Sequence, residues 1–336
     1  MIGVCGFGYT GSGAVLDYLK QFKNLKVCDD FEFPITYRPD GLLNLERALL
    51  HFPNRFLSSD YAITRFKFLM TYFFNENLQS KNIKKACFDL LDSFINEIAQ
   101  VKWESPIISH KAANVYGDFQ TPNDIKLRLF LQKTLRKLKL RKFDVRKKEM
   151  RYFSIRPEKF LESSQVFISK LLEVICPLDE GEIRVLDQPF SADNVKESFV
   201  FFENPKVIIV DRDPRDLYLY AKEIKGGIHS IPTNTVENFV AYYKAIRNNY
   251  DLSGPYDQSK TLLIRFEDLI YKNAKTSQII NDFLGLNPHH KVRKSEFIPV
   301  QSKINTNLAV RFPEFEKDIK FIEKELAEWL YDFGNS

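Results

Sequence analysis

The chain opens with a short apolar run that passes directly into a segment crowded with glycine. Residues 1–5 are apolar, and four glycines follow between positions 6 and 13. From residue 14 to residue 22 the apolar side chains recur at helical spacing. A strand, a tight loop and a helix are therefore predicted, and this beginning is typical of nucleotide-binding folds.

The same alternation returns later in the chain. Residues 206–210 and 261–265 are predicted strands, and residues 213–223 and 275–284 are predicted helices. Strands separated by helices pair in parallel through right-handed crossovers. The sequence therefore predicts an α/β fold of three layers, with a P-loop-like central parallel sheet, flanking helices, and ligands at the carboxyl ends of the strands.

The remaining segments are mainly helical. Strands are predicted at 25–28 and 183–186, and helices at 42–52, 60–75, 81–100, 123–140, 157–175, 233–250 and 314–331. Proline occupies the first position of the 157–175 helix, where its missing N–H costs nothing. No linker rich in Pro, Gly or Ser divides the chain, so we expect one domain, 1–336, with a helical insertion at roughly 40–175.

Composition excludes several classes of protein. No stretch approaches the roughly 18–20 apolar residues of a spanning helix, and the N-terminus lacks a basic and apolar leader. Cys5, Cys28, Cys87 and Cys176 are scattered without a CxxC pair, which argues against a zinc site and against disulfides. We expect a cytoplasmic protein, without a metal, whose cysteines are reduced and buried.

The glycine loop is suited to bind phosphate, because glycine lets several N–H groups turn toward one anion at a helix N-terminus. The predicted ligands are Gly8, Tyr9, Thr10, Gly11, Ser12, Gly13 and Ala14. The loop lacks the GK[ST] ending of a Walker A sequence, which disfavours a standard P-loop NTPase. It does match GxGxxG, with Asp29 and Asp30 about 20 residues further on, so an NAD-dependent Rossmann oxidoreductase stays open.

A second anion site is predicted after the strand at 206–210. The sequence there is Arg212-Asp213-Pro214-Arg215-Asp216, at the start of a helix. Arginine binds phosphate with two parallel hydrogen bonds, and the helix N-terminus reinforces that contact. The alternative for Arg212 is a surface salt bridge.

This segment resembles the R-[ND]-P-[RK]-D sequence that sulfotransferases carry after a central strand. The resemblance continues in Glu267-Asp268-Leu269 and in Phe283-Leu284-Gly285-Leu286, so it covers residues 1–22 and 206–286. It implies transfer of a sulfuryl group from 3′-phosphoadenosine 5′-phosphosulfate to a hydroxyl or amine. As acceptor we expect a cell-surface carbohydrate or its precursor.

The resemblance also assigns residues to the donor site. Arg212 corresponds to the family's ligand of the 3′-phosphate, and Arg215 is assigned to the same site. Tyr220 stands where the family has serine, and its hydroxyl can still donate to that phosphate. Lys303, in Ser302-Lys303-Ile304-Asn305, resembles the S-K-x-N segment of a loop that closes over the donor.

One departure from the family concerns the loop cation. Gly11 stands where sulfotransferases usually carry Lys or Arg, so the charge that transfer requires must come from Lys111, Arg215 or Lys303. A catalytically inactive nucleotide-binding protein is the alternative that this departure leaves open.

Transfer to a hydroxyl also needs a base near the acceptor. The family uses Glu, Asp or His, and the candidates are Glu32, Asp187 and His110, the last beside Lys111. Helix caps and surface charges are the alternative roles for the two carboxylates.

Positive charge is concentrated between residues 126 and 151. This segment contains twelve Lys or Arg residues and two acidic ones, whereas the whole chain has a formal net charge of +5. It is a solvated helix face, or it attracts an anionic oligosaccharide or a membrane surface. No nucleic-acid-binding motif accompanies the charge, so nucleic acid is not an expected partner.

Overall fold

The computed structural model describes residues 1–53, 58–106, 123–140, 146, 148–228, 230–287 and 296–335. The chain divides into two compact units: unit 1 comprises Met1–Pro34 and Cys176–Ser336, and unit 2 comprises Ile35–Ile175. The organisation as one domain with an insertion at roughly 40–175 stays a prediction. No described helix is both long and apolar enough to cross a membrane.

The strands within the described residues form two sheets. In chain order they are β1 Ile2–Gly6, β2 Leu25–Cys28, β3 Val101–Pro106, β4 Lys148–Phe153, β5 Ile183–Asp187, β6 Lys206–Asp211 and β7 Thr261–Arg265. Unit 1 holds a parallel sheet of five strands in the order β2-β5-β1-β6-β7, and unit 2 holds the antiparallel pair β3-β4. The predicted α/β fold with a central parallel sheet is confirmed.

Helices connect the strands. In chain order they are α1 Ser12–Leu19, α2 Leu42–Glu46, α3 Ser58–Asn77, α4 Lys81–Ile98, α5 Asn123–Lys137, α6 Phe160–Ile175, α7 Lys196–Phe199, α8 Pro214–Leu219, α9 Val236–Ser253, α10 Phe266–Tyr271, α11 Asn273–Leu284, α12 Pro299–Ser302 and α13 Glu316–Glu325. One hydrophobic cluster joins α1, α10 and α11 to β1, β6 and β7. A second cluster joins α8, α9 and α13.

The centre of the sheet determines where a ligand can bind. The β-branched run Val207–Val210 in β6 is fully buried, as expected for an inner parallel strand. In the register of β1, Val4 lies opposite Asp187 and Gly6 lies opposite Val210. The carboxyl ends of β1, β5 and β6 therefore meet at one edge, which brings the glycine loop beside the segments that follow β5 and β6.

The strand order disfavours the Rossmann alternative. In a dinucleotide-binding Rossmann fold the strand after the first helix lies directly beside the first strand. Here β5 separates β2 from β1. Asp29, at the end of β2, is also in an ion pair with Lys20, with 2.7 Å between Lys20 Nζ and the carboxylate.

Several predicted boundaries were wrong for identifiable reasons. The helix predicted from Pro157 begins at Phe160, after a turn in which Phe160 N–H donates to Pro157 C=O at 3.3 Å. The helix predicted over 314–331 ends at Glu325, because the chain beyond it extends to place Tyr331 N–H on the buried carboxylate of Asp213 at 2.7 Å. The helix predicted over 213–223 becomes a wider π-type turn at Tyr220–Ile224.

Unit 2 is built on an aromatic core and contains an antiparallel pair of strands, β3 and β4, that the sequence did not predict. Phe94 stacks on Phe167 with 4.8 Å between ring centroids, and Phe66 packs edge-on against both. The buried Asp60 carboxylate of α3 accepts hydrogen bonds from the side chain of Arg151 and the N–H of Tyr152, each at 3.1 Å. These bonds hold β4 against α3.

The prediction that every cysteine is reduced was wrong for one pair. A disulfide joins Cys28, at the end of β2, to Cys176, and their Cα atoms are 6.2 Å apart, within the usual range for this bond. Both residues belong to unit 1, although 148 positions separate them in sequence, and scattered spacing gave no sign of the pairing. Cys5 and Cys87 are buried thiols, as predicted.

The glycine loop between β1 and α1 is fixed by a buried threonine. Thr10 Oγ1 donates to Val210 C=O at 2.6 Å and accepts from Phe7 N–H at 3.1 Å. Gly6 leaves room for this hydroxyl, because a Cβ at that position would lie 2.3 Å from Thr10 Oγ1. The side chain of Thr10 thus ties the loop to β6, and only its backbone remains for ligand binding.

We expect Thr10→Val, which keeps the side-chain shape without the hydroxyl, to lower the free energy of unfolding by about 1–3 kcal/mol. The N–H of Phe7 and the carbonyl of Val210 would both lose a buried partner. Thr10→Ser retains the hydroxyl and is the matched control. Denaturant unfolding followed by circular dichroism measures the difference, and equal stability of the two variants would contradict this role.

Candidate active site

The glycine loop presents backbone rather than side chains at the start of α1. Gly8 and Tyr9 adopt positive φ angles of 87° and 55° and are exposed, and Gly11 adopts 99°. A Cβ built on Gly8 or on Gly13 meets no heavy atom within 4 Å. The loop and the first turn of α1, Ser12 to Ala14, therefore leave open space for an anion beside the N–H groups that begin the helix.

Gln188 supports this loop and was missed by sequence analysis. Its Oε1 accepts from Gly6 N–H at 3.4 Å, and its Nε2 donates to Ser12 Oγ at 3.0 Å. The backbone of Gln188 is left-handed, with φ of 49°, and its N–H donates to Val4 C=O. An isolated glutamine after a strand carries no recognisable sequence signal.

Arg212 lies next to the loop, as the second motif predicted. Its Nη1 donates to Tyr9 C=O at 3.2 Å, and its Nη2 donates to Asn305 C=O. The guanidinium lies over the rings of Tyr220 and Phe266, at 4.7 Å and 5.4 Å from their centroids. The structure therefore brings together the glycine loop, Arg212, Tyr220 and the segment that follows Lys303.

The charge of Arg212 is buried, and no carboxylate in the described part of the chain contacts it. The residue is 3% exposed, its Nε has no hydrogen-bond partner, and no described ion pair includes its guanidinium. Burial lowers the pKa of Arg212, although more distant carboxylates such as Asp216 and Glu267 oppose that shift. A buried cation of this kind is stabilised by a bound anion.

The acidic residues of the two motifs hold the backbone around Arg212. Asp216 accepts from Asn307 N–H at 2.8 Å and Leu308 N–H at 2.7 Å. Glu267, fully buried, accepts from Asp213 N–H at 2.7 Å, and burial raises the pKa of Glu267 to about 7. These carboxylates position the segments on either side of the arginine.

Arg215, the second arginine of the motif, forms ion pairs with two carboxylates. Its guanidinium contacts Asp213 at 2.8 Å and Glu323 at 2.9 Å, and it also donates to Tyr331 C=O. The hydrogen bonds and charges of these two carboxylates outweigh burial and raise the pKa of Arg215. With its charge matched by two acids, Arg215 links α8 to α13.

Lys303 lies on the short helical turn Lys303–Asn305 near the arginine. Its side chain is exposed, with Nζ 5.3 Å from the centroid of the Tyr271 ring. Asn305, two positions further, supplies the carbonyl that accepts from Arg212. Asn305 belongs to the segment that resembles S-K-x-N. Sequence analysis could not predict its backbone contact, because every residue has a carbonyl group.

Asp187 ends β5 beside the glycine loop. Burial, followed by the charges of Glu32 and Asp29, raises the pKa of Asp187 to about 7. Its Oδ1 is buried and has no hydrogen-bond partner among the described residues, whereas its carbonyl accepts from Phe33 N–H at 2.8 Å. Glu32 is exposed. The structure thus groups two of the three predicted bases, and the third, His110, lies outside the described residues, as does Lys111.

No group of three or more His, Cys, Asp or Glu residues suited to a metal ion occurs in the part of the chain that the structure describes. The backbone N–H groups of the loop and the guanidinium of Arg212 are donors that bind anions.

Comparison with solved structures finds sulfotransferases. Among solved structures, the chain resembles the sulfotransferase domain of an olefin synthase from Synechococcus PCC 7002, with 11% identity, 91% of this chain and 87% of that chain covered, and a TM-score of 0.39. It also resembles the sulfotransferase domain of the curacin biosynthetic pathway, with 14% identity, 88% of this chain and 78% of that chain covered, and a TM-score of 0.36. A third similar structure is the sulfotransferase STF1 from Mycobacterium tuberculosis H37Rv, with 11% identity, 91% of this chain and 76% of that chain covered, and a TM-score of 0.34.

No curated protein matches the sequence. The model of the sulfotransferase family, in contrast, matches residues 107–290, which is more than half of the chain and includes the segments around Arg212 and Glu267. By this match the chain belongs to the sulfotransferase family and is a sulfotransferase enzyme.

Proposed function

We propose that this enzyme takes the sulfuryl group from 3′-phosphoadenosine 5′-phosphosulfate and transfers it to a hydroxyl or amine of a carbohydrate. The observation that carries the proposal is the buried guanidinium of Arg212, which lies beside the glycine loop and has no carboxylate partner among the residues that the structure describes. Two separate anion sites at one sheet edge suit a donor that has phosphate groups at two positions of its ribose.

Arg212 is assigned to the 3′-phosphate. The N-terminus of α8 follows directly, with Asp213 as its cap. The Tyr220 ring packs on the guanidinium, and we assign its hydroxyl to the same phosphate. Charge-assisted hydrogen bonds from arginine to phosphate are among the strongest available to a protein. Filling this position would remove the cost of the buried charge.

The loop from Gly8 to Ala14 is assigned to the 5′-phosphosulfate. Its N–H groups and the N-terminus of α1 stabilise negative charge on the leaving phosphate. Arg215 is a poor substitute for the missing loop cation, because two carboxylates already bind it. We assign that role to Lys303, whose exposed side chain lies on the segment that contacts Arg212.

Asp187 is assigned as the base. The donor supplies the sulfuryl group when bound; the protein must hold the acceptor and take up its proton. Asp187 lies beside the loop, and one of its oxygens has no hydrogen-bond partner in the described ranges. Its pKa, raised to about 7, is near the ideal for proton transfer at neutral pH. Its carboxylate would accept the proton as the acceptor oxygen or nitrogen attacks sulfur and the bond to the leaving phosphate breaks.

A cavity in unit 2 is assigned to the acceptor. It has a volume of about 500 Å³ and is lined by both rings and polar side chains: Tyr37, Pro39, Asp40, Asn44, Leu45, Ala48, Ser58, Tyr61, Ala62 and Arg65. Aromatic faces beside amide, carboxylate and guanidinium groups suit a sugar, which has apolar ring faces and polar edges. The aromatic and polar residues that line the cavity therefore support a carbohydrate as the substrate.

Calorimetric titration with 3′-phosphoadenosine 5′-phosphate tests the donor site. We expect Arg212→Met to weaken binding by about 1.5–3 kcal/mol, the contribution of hydrogen bonds to a charged group. Arg311→Ala is the matched control, because Arg311 is exposed and donates to Ile304 C=O on the neighbouring segment. NADH and ATP are titrated under the same conditions.

The donor assignment fails if folded Arg212→Met binds 3′-phosphoadenosine 5′-phosphate as tightly as the wild type. Selective binding of NADH would instead revive the oxidoreductase alternative. Binding of the nucleotide without sulfation of any acceptor would indicate an inactive protein.

The pH dependence of sulfation tests the base. At saturating donor, we expect the rate to rise with pH through about 7, because Asp187 must be ionised to accept a proton. Asp187→Asn should abolish this rise and lower the rate about 10²–10⁴-fold, the usual contribution of a general base.

Glu32→Gln distinguishes the two carboxylates. Removing the negative charge of Glu32 lowers the pKa of Asp187, so the midpoint of the rate should move to lower pH. Glu180→Gln, an exposed substitution, is the control. If Asp187→Asn leaves the pH profile unchanged, Asp187 is not the base. If the rate collapses in Glu32→Gln, Glu32 rather than Asp187 is the base.

Reducing the cavity tests the acceptor site. Ala62→Phe places a ring where the cavity now lies, so we expect the KM for a sugar acceptor to rise while the affinity for 3′-phosphoadenosine 5′-phosphate stays unchanged. Ala245→Phe, on the exposed side of α9, is the matched control. Radiolabelled sulfate transfer to a panel of hexose and hexosamine glycosides measures the effect, and an unchanged KM would contradict the assignment.

A further inference from the structure

Helix α5 exposes an apolar stripe to solvent. The helix has 15 residues, and Leu127, Phe130 and Leu131 are all exposed, Phe130 by 65%. Leu138, also exposed, continues the stripe about two turns beyond Leu131, because its N–H still donates to Thr134 C=O. Large apolar side chains grouped in this way mark a surface that contacts something else.

The stripe is on the outer side of the helix. Each residue turns the helix by about 100°, so Leu127, Phe130, Leu131 and Leu138 lie within about 100° of one another. Gln132, only 5% exposed, falls on the opposite side. The helix is therefore covered on the side of Gln132, and its apolar side is left to solvent.

Cations line one edge of the stripe. Lys126, Lys133 and Lys137 recur at spacings of seven and four, which places them in a row next to Phe130. All three are exposed, and none takes part in an ion pair among the described residues. The sequence from 126 to 140 contains no acidic residue that could neutralise them.

We propose that α5 is an interfacial helix that docks on an anionic lipid surface. Its apolar stripe would enter the boundary of the acyl chains while the row of lysines contacts the headgroups, which is the arrangement of helices that lie in the plane of a membrane. An anionic oligosaccharide would use the lysines but would leave Leu127, Phe130, Leu131 and Leu138 in water. Charge and apolar exposure together therefore favour lipid.

The inference is independent of the proposed donor and acceptor, since it rests on α5 alone. Sedimentation of the full chain with vesicles tests it. We expect the protein to sediment with vesicles of phosphatidylcholine and phosphatidylglycerol, but not with vesicles of phosphatidylcholine alone. Added salt should weaken the interaction, because screening reduces the attraction between lysine and headgroup.

Two kinds of variant separate the apolar and the charged contributions. Phe130→Ser should weaken partitioning about tenfold, and the pair Lys133→Gln and Lys137→Gln about fivefold per lysine. The matched controls are Leu252→Ser, at a leucine 84% exposed on α9, and the pair Lys317→Gln and Lys324→Gln on α13. Every variant is compared with the wild type for its thermal unfolding midpoint.

Binding to anionic vesicles that both kinds of α5 variant reduce and the controls retain would support the proposal. It is overturned if the wild type ignores vesicles, or if Phe130→Ser binds them as well as the wild type does. Retention on heparin that only the lysine pair reduces, without lipid binding, would assign the surface to a glycan. Self-association that Phe130→Ser abolishes, without lipid binding, would assign it to a second copy of the chain.

Discussion

The buried charge of Arg212 is the constraint around which the rest of the site is arranged. A guanidinium removed from water and without a carboxylate is costly unless neighbouring groups satisfy it. Here the carbonyls of Tyr9 and Asn305 and the rings of Tyr220 and Phe266 surround it, and Nε has no hydrogen-bond partner among the described residues. The site is therefore electrostatically incomplete in a way that an anion corrects.

The acidic positions of the motifs have a different purpose. Asp213, Asp216 and Glu267 all direct their oxygens at backbone N–H groups, and Arg215 is attached to Asp213. Each acid links two segments that are distant in sequence, so the motif residues form a frame that holds Arg212 in place. This division explains why two arginines only three positions apart differ so much in environment.

Sequence analysis predicted the sheet, because inner parallel strands such as β6 are uniformly apolar and glycines mark the loop after β1. It also placed Arg212 and Asp187 at strand ends that meet. It missed Gln188 and the carbonyl of Asn305, since contacts that depend on backbone position have no compositional signature. It did not foresee the contact of Arg215 with Glu323, 108 positions away, because that contact depends on the tertiary fold.

Phe266 contacts both the glycine loop and Arg212, and it explains why the loop lacks the family's cation. A Cβ on Gly11 would lie 2.3 Å from the ring of Phe266, and the φ of 99° at Gly11 already disfavours any side chain, so a lysine cannot stand at this loop position. The same ring packs against the guanidinium of Arg212. The ring of Phe266 thus excludes a lysine from position 11 and at the same time packs against the guanidinium of Arg212. Of these two positions only the end of β6 carries a cation, and burial there strengthens the interaction of Arg212 with any anion that binds.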